Sequence, residues 1–162
     1  MLSPVPAFTR SLNALSAVLA KAEAHAAARK IDASVLVNTR LFPDMLPLAA
    51  QIGIACDHAK GATARLGGVD VPSFTDPMTT FAELHARIAQ TLAFIATVPE
   101  QAFANADGKT ISLKVAGNDM SFPAPAYYSS FAIPNFYFHM TTAYNILRMN
   151  GVELGKRDFM GG

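Results

Sequence analysis

Between Met120 and Leu147 the chain carries no Asp, Glu, Lys or Arg. A segment that long without charge either crosses a membrane or is buried against protein. A spanning helix needs about 20 mostly apolar residues in a row. Here Pro123, Pro125, Pro134, Asn135, His139 and Asn145 interrupt the run. We therefore read it as a helix buried on nearly all sides, at the centre of a bundle or at a subunit interface. The start, MLSPVPAFTRSLNALSAVLAKAEAH, lacks a basic segment followed by an apolar one, so the expectation is a cytoplasmic protein with no membrane partner.

Composition narrows the class. Hydrophobic residues make up 51% of the 162 positions and charged residues 15%, the reverse of a disordered chain. The length suits one domain over residues 1–162. A formal charge of +1 argues against a nucleic-acid partner, which a strongly basic surface would attract. The single cysteine, Cys56, excludes a disulfide framework and any multi-cysteine metal site.

Hydrophobic spacing then predicts four long helices. Phe8, Leu12, Leu15, Leu19, Ala22 and Ala26 form one stripe, in a helix reaching about Arg29. A short helical turn is expected at residues 33–37. The second long helix is expected from Pro43–Asp44, with Leu48, Ile52, Ala55, Ala59 and Leu66 on one face and Gly67–Gly68 as its stop. A third follows an N-cap expected at Thr75–Asp76–Pro77 and carries Phe81, Leu84, Ile88, Leu92 and Ile95. The fourth runs from about Ala126 to Asn150, kinked at Pro134. Between the third and fourth, Ile111, Leu113 and Val115 alternate with Ser112 and Lys114. With a Gly117–Asn118 turn this predicts a small hairpin. The fold class is thus all-α: an antiparallel four-helix bundle with a small β-hairpin.

No phosphate loop, dinucleotide fingerprint, HExxH or GxSxG motif is present. The remaining chemistry lies in a few polar residues on the helices. Asn135 and His139 are four apart and share a face, and His58 lies near the middle of the second long helix. Facing helices of a bundle build metal and cofactor sites in this way. The same residues also suit hydrogen-bonded core positions, with Asn135 satisfying a carbonyl beside the Pro134 kink. Asp57 points about 100° away from His58 and reads as facing solvent or as pairing with another helix. Cys56 reads as an inert core thiol, and Arg40 with Asp44 as a local pair. The tyrosines at 127, 128, 137 and 144 either line a polar pocket or sit in the core with one wet end.

Two stretches, RLFPDMLPLAAQIGIACDHAKG and PAYYSSFAIPNFYFHMTTAYNILRMNGVELGKRDFMGG, carry a family resemblance over essentially the whole chain. The chain resembles the domain-of-unknown-function family numbered nineteen ninety-three, within the DinB-like superfamily of helical metalloenzymes. The resemblance implies a divalent metal (zinc, nickel or iron) held by one histidine on the second helix and an HxxxH pair on the last. By motif these positions fall on His58, on Asn135 and on His139. Asn135 stands where the superfamily has the first histidine of the pair, so the implied site is degenerate. The resemblance further implies thiol-transferase- or hydrolase-like chemistry and a homodimer. Two readings follow: a metal-dependent enzyme acting on a small-molecule ligand, and a metal-free binding or dimerisation protein on the same fold.

Overall fold

The structure is a computed structural model that describes residues 3–162. The first helix, α1 (Val5–Arg29), starts behind Pro4, where a missing N–H costs nothing. It ends at Lys30, whose left-handed backbone lets its N–H cap the carbonyls of Ala26 and Ala27. All six residues of its expected stripe are buried. The short α2 (Ala33–Asn38) is capped by the Asp32 carboxylate, which accepts from the Ser34 N–H.

The next helix, α3 (Leu48–Gly67), starts later than Pro43–Asp44. Pro47 occupies its N-cap position in extended conformation. Arg40 pairs with Pro47 in an isolated bridge, so the chain turns through residues 41–46 before the helix begins. Arg40 donates to the Met45 carbonyl, which replaces the expected Arg40–Asp44 pair. At the far end Gly68, at φ 74°, gives the left-handed stop.

The following helix, α4 (Phe81–Thr97), also starts later than the Thr75–Asp76–Pro77 signal. Thr80 and Glu83 cap each other reciprocally, and this box outcompetes the proline. The intervening loop lies over α3. Met78 packs where a β-carbon on Gly53 would sit, and the buried Arg87 donates to the carbonyls of Phe74 and Asp76.

After two 3-10 turns come strands β1 (Thr110–Val115) and β2 (Asn118–Pro123), antiparallel, with Ile111 opposite Phe122 and Leu113 opposite Met120. The turn falls on Ala116 and Gly117, both at positive φ, one residue earlier than the expected Gly117–Asn118. A two-stranded hairpin is marginal alone, and this one is tied down at its base. Lys109 Nζ donates to the Leu66 carbonyl at 2.8 Å, and Phe122 packs its ring on Tyr127 and Phe131.

The last long helical stretch has three consecutive parts: α5 (Ala124–Ala126), a π-helical segment (Tyr127–Ala132) and α6 (Ile133–Met149). The irregularity precedes Pro134, which lacks the N–H that a regular helix would use. The stretch is less enclosed than its lack of charge predicts. Phe138 and Met149 are 57% and 54% exposed, although α6 meets both α3 and α1. A final α7 (Lys156–Met160) docks on α1, where Lys21 meets Asp158 at 2.7 Å.

Helix α3 packs along both α4 and α6, and α1 packs along α4. The fold is mostly helical with one small antiparallel hairpin. Its core joins Leu12, Leu15, Leu48, Ile52, Leu84 and Phe136, among others, in one cluster. Each such side chain contributes about 1.5–3 kcal/mol on burial. Among the described residues, no helix is long and apolar enough to cross a membrane.

Candidate functional site

Two turns of α3 separate Gln51 from His58, so both lie on one face. That face is turned to α6, where His139 sits. The His58 and His139 rings are stacked, with centroids 6.0 Å apart and planes inclined by 14°. The Gln51 amide nitrogen donates to the Leu46 carbonyl at 3.0 Å, which directs its oxygen at His139. His139 Nδ1 lies 2.7 Å from that oxygen. An amide oxygen only accepts, so His139 carries its proton on Nδ1 and keeps the Nε2 lone pair free.

Burial sets the charge state. Burial first, and then the neighbouring His139, push the His58 pKa down to about 4. Burial also lowers the pKa of His139. Both rings are neutral at pH 7, as metal ligands or proton acceptors must be.

The π-helical segment shapes the other wall. It turns Tyr127 and Phe131 toward α3, and Phe131 meets His58 edge to face at 5.8 Å. Tyr127 is buried and accepts from Arg65 Nη1 at 3.3 Å. Burial raises the Tyr127 pKa against the opposing effect of Arg65, so its hydroxyl stays protonated. Together α3, the hairpin and this segment enclose an open cleft of about 580 Å³, with His58, Arg65, Leu113, Lys114, Tyr127 and Phe131 among its lining. Such a volume suits a small molecule.

Asn135 does not join the two histidines through its amide nitrogen. That group donates to the Phe131 carbonyl at 2.7 Å, the local role that a position beside Pro134 invites. Asp57 turns to Lys60 at 2.8 Å, within its own helix. Cys56 is fully buried, and desolvation pushes its thiol up to about 12, so it is inert. Tyr137 meets Ser11, and Tyr144 packs on Phe159, both away from the cleft. Among the described residues, no three His, Cys, Asp or Glu side chains converge as a metal-binding group.

A family model described as a domain of unknown function, DUF1993, matches residues 3–160. The chain belongs to the DUF1993 family. A crystal structure at 1.83 Å of a DinB family member protein from Shewanella denitrificans is similar to this DUF1993 chain, at 44% identity with a TM-score of 0.88. The match covers 98% of this chain and 89% of that one. This places the DUF1993 protein in the DinB-like superfamily. A comparison with curated proteins finds no match.

Sequence reasoning missed Gln51 and Arg65. Gln51 was legible as the residue two turns before His58 on an otherwise apolar stripe. Arg65 had no such signal, because only the π-helical segment brings Tyr127 to it.

Proposed function

We propose that this DUF1993 protein is a small-molecule enzyme of the DinB-like type, on an antiparallel four-helix bundle, with an altered metal site at His58 and His139. The pairing of these two neutral imidazoles across α3 and α6 carries the reading. Two imidazoles that share an ion at about 2.1 Å from each nitrogen have ring centres at most roughly 6.5 Å apart. The separation of 6.0 Å is within that reach, and because the ring planes are only 14° apart, one imidazole has to turn about its side-chain bonds before both in-plane lone pairs meet at one ion. Gln51 holds His139 as an outer hydrogen-bond partner holds a metal-ligating histidine.

The donor set fits a weakly held divalent transition metal (zinc, nickel or iron) with most positions open to water or substrate. When bound, such an ion supplies Lewis acidity toward a substrate oxygen or thiol. The chain's own groups do the rest. Gln51 fixes the His139 tautomer, Phe131 and the hairpin form the apolar walls of the cleft, and Arg65 lends positive charge to its wall. Asn135 contributes by holding the irregular helix that presents Phe131.

A second reading, a metal-free binding protein, is favoured by the lack of a third His, Cys, Asp or Glu beside the pair among the described residues. Catalytic zinc sites use three protein ligands. Elemental mass spectrometry on untagged protein separates the two. Transition metal near one equivalent in the wild type, lost in His58→Ala and in His139→Ala, supports the first reading. A metal-replete preparation without bound metal rejects it in favour of the second. The homodimer belongs to both readings, with Phe138 and Met149 on α6 as its contact. Light scattering that gives a monomer mass would remove it.

A further inference from the structure

We infer that the cleft between α3, the π-helical segment and the hairpin takes a small organic carboxylate with an apolar body, its carboxylate on the Arg65 guanidinium and its body between Phe131 and the hairpin. The inference deepens the reading of this cleft as a ligand site and rests on it.

Charge selects the anion. Asp57, the one carboxylate lining the cleft, is already engaged by Lys60 at 2.8 Å. Arg65 has no acidic partner among the described residues. Its contact is the Tyr127 hydroxyl, through one Nη1 at 3.3 Å. A guanidinium offers a fork of donors matched to a carboxylate, and most of that fork is unspent here. Lys114 adds a second cation at the rim, 3.9 Å from Asp119 in an exposed pair.

Placement of the guanidinium is built into the helix. A β-carbon at position 61 would collide with Arg65 Nη1. Gly61, one turn earlier on α3, therefore lets the side chain lie back along the helix toward Tyr127. A surface arginine free in solvent needs no such space.

The walls select the body. Leu113 and Val115 from β1, with Ile54 and Phe131, give the cleft an apolar lining. That surface matches an aromatic ring or a branched alkyl chain, and offers little to a phosphate or a sugar. With Lys114 at the rim shared with Asp119, Arg65 is the one cation in the lining without a carboxylate partner among the described residues, which matches one negative charge better than two.

The test uses phenylacetate and isovalerate, with phenylacetamide and isovaleramide as neutral isosteres, titrated into the full-length protein. Proton–nitrogen correlation spectra report where each binds. The expected result is shifts centred on Arg65, Leu113 and Phe131 for the acids, with binding at least about tenfold weaker for the amides, the loss of a charge-assisted pair. Arg65→Gln should lose the acid preference, and Gly61→Ala should weaken acid binding severalfold while keeping the charge. Thermal melts check that both variants fold, and Lys114→Gln keeps the test open should either fail to. The inference is overturned by equal binding of acid and amide, by Arg65→Gln that binds as the wild type does, or by no cleft shifts from any probe at concentrations on the order of 10 mM, a range that covers weak ligands. Metal content is measured on the same samples. Arg65→Gln that keeps its metal but loses the acids, beside His139→Ala that loses metal and keeps them, supports the carboxylate site whatever the fate of the metal reading. Loss of acid binding in His139→Ala but not in Arg65→Gln would place the acid on the metal and reject the role given to Arg65.

Discussion

The contact of α1 with α4 and the contact of α3 with α6 use the same kind of apolar stripe, yet only the second carries polar side chains within it. Along α1, Leu12, Leu15 and Leu19 are buried, and α4 answers with Leu84, Ile88 and Ile95. Polar groups there keep to the edge: Ser16 Oγ lies 3.1 Å from His85 Nδ1, and Glu23 lies 3.8 Å from His85 Nε2. Along α3, Gln51 and His58 sit on the face that meets α6, and His139 comes from the other side. Here polar groups interrupt the buried stripe instead of flanking it. A histidine at a helix edge is solvated and does little. The same residue within a stripe is desolvated, kept neutral and aimed at a neighbour.

The comparison breaks most sharply if the aliphatic contact is opened. Leu15→Ala, at a fully enclosed position, should cost about 2–5 kcal/mol in urea unfolding. Ligand and metal binding by the folded fraction should be unchanged, and a loss of binding would show that the two contacts are not independent. Gln51→Ala should cost about 1–3 kcal/mol, because it strands the His139 N–H. It should also weaken any bound metal by roughly 10- to 100-fold, measured by competition with a chelator. The same substitution logic applied to Ser16→Ala should leave both readouts near wild type, since water replaces the hydroxyl at the edge.

Acid should separate the two contacts next. The folded-state pKa of His58 lies near 4, below its ordinary 6.5, and His139 moves the same way. The unfolded chain therefore binds these protons more readily. Stability should be intact above pH 6.5 and should fall as the pH drops toward about 4. Asp32, Glu83 and Asp158 are all held below their ordinary values of 3.8, 4.5 and 3.8 by hydrogen bonds, so their contributions start to be lost only as the pH nears those values, at the acid end of the histidine window. His58→Gln should flatten the loss between pH 6.5 and 4 in chemical denaturation. An unchanged slope would show that His58 is not desolvated. The smallest effect sharpens the contrast at the helix starts. Thr80→Ala removes the cap of α4 and should cost about 1 kcal/mol, seen in thermal melts. Helix α3 begins at Pro47 without a side-chain cap and offers no equivalent.

Helix α1, the short α2, the hairpin and the stop at Gly68 were legible because each rests on a local rule: apolar spacing, alternation or a left-handed glycine. The starts of α3 and α4 were not. In each case a proline suggested the boundary, and a turn or a capping box farther along fixed it. His58 and His139 were singled out through motif and spacing, and the structure brings their rings together. Asn135 was found as well, but its amide nitrogen is committed to Phe131, and position alone cannot reveal which of two acceptors an amide will meet.

The sequence by itself determined the helical class, the apolar faces and the place of the hairpin, because these follow from the periodicity of burial along one chain. Only the tertiary structure decided that His58 meets His139, that Gln51 orients it, and that Arg65 leans on Tyr127. Those contacts join residues 62 to 88 positions apart. They depend on helix register and on one π-helical segment, which no local pattern encodes.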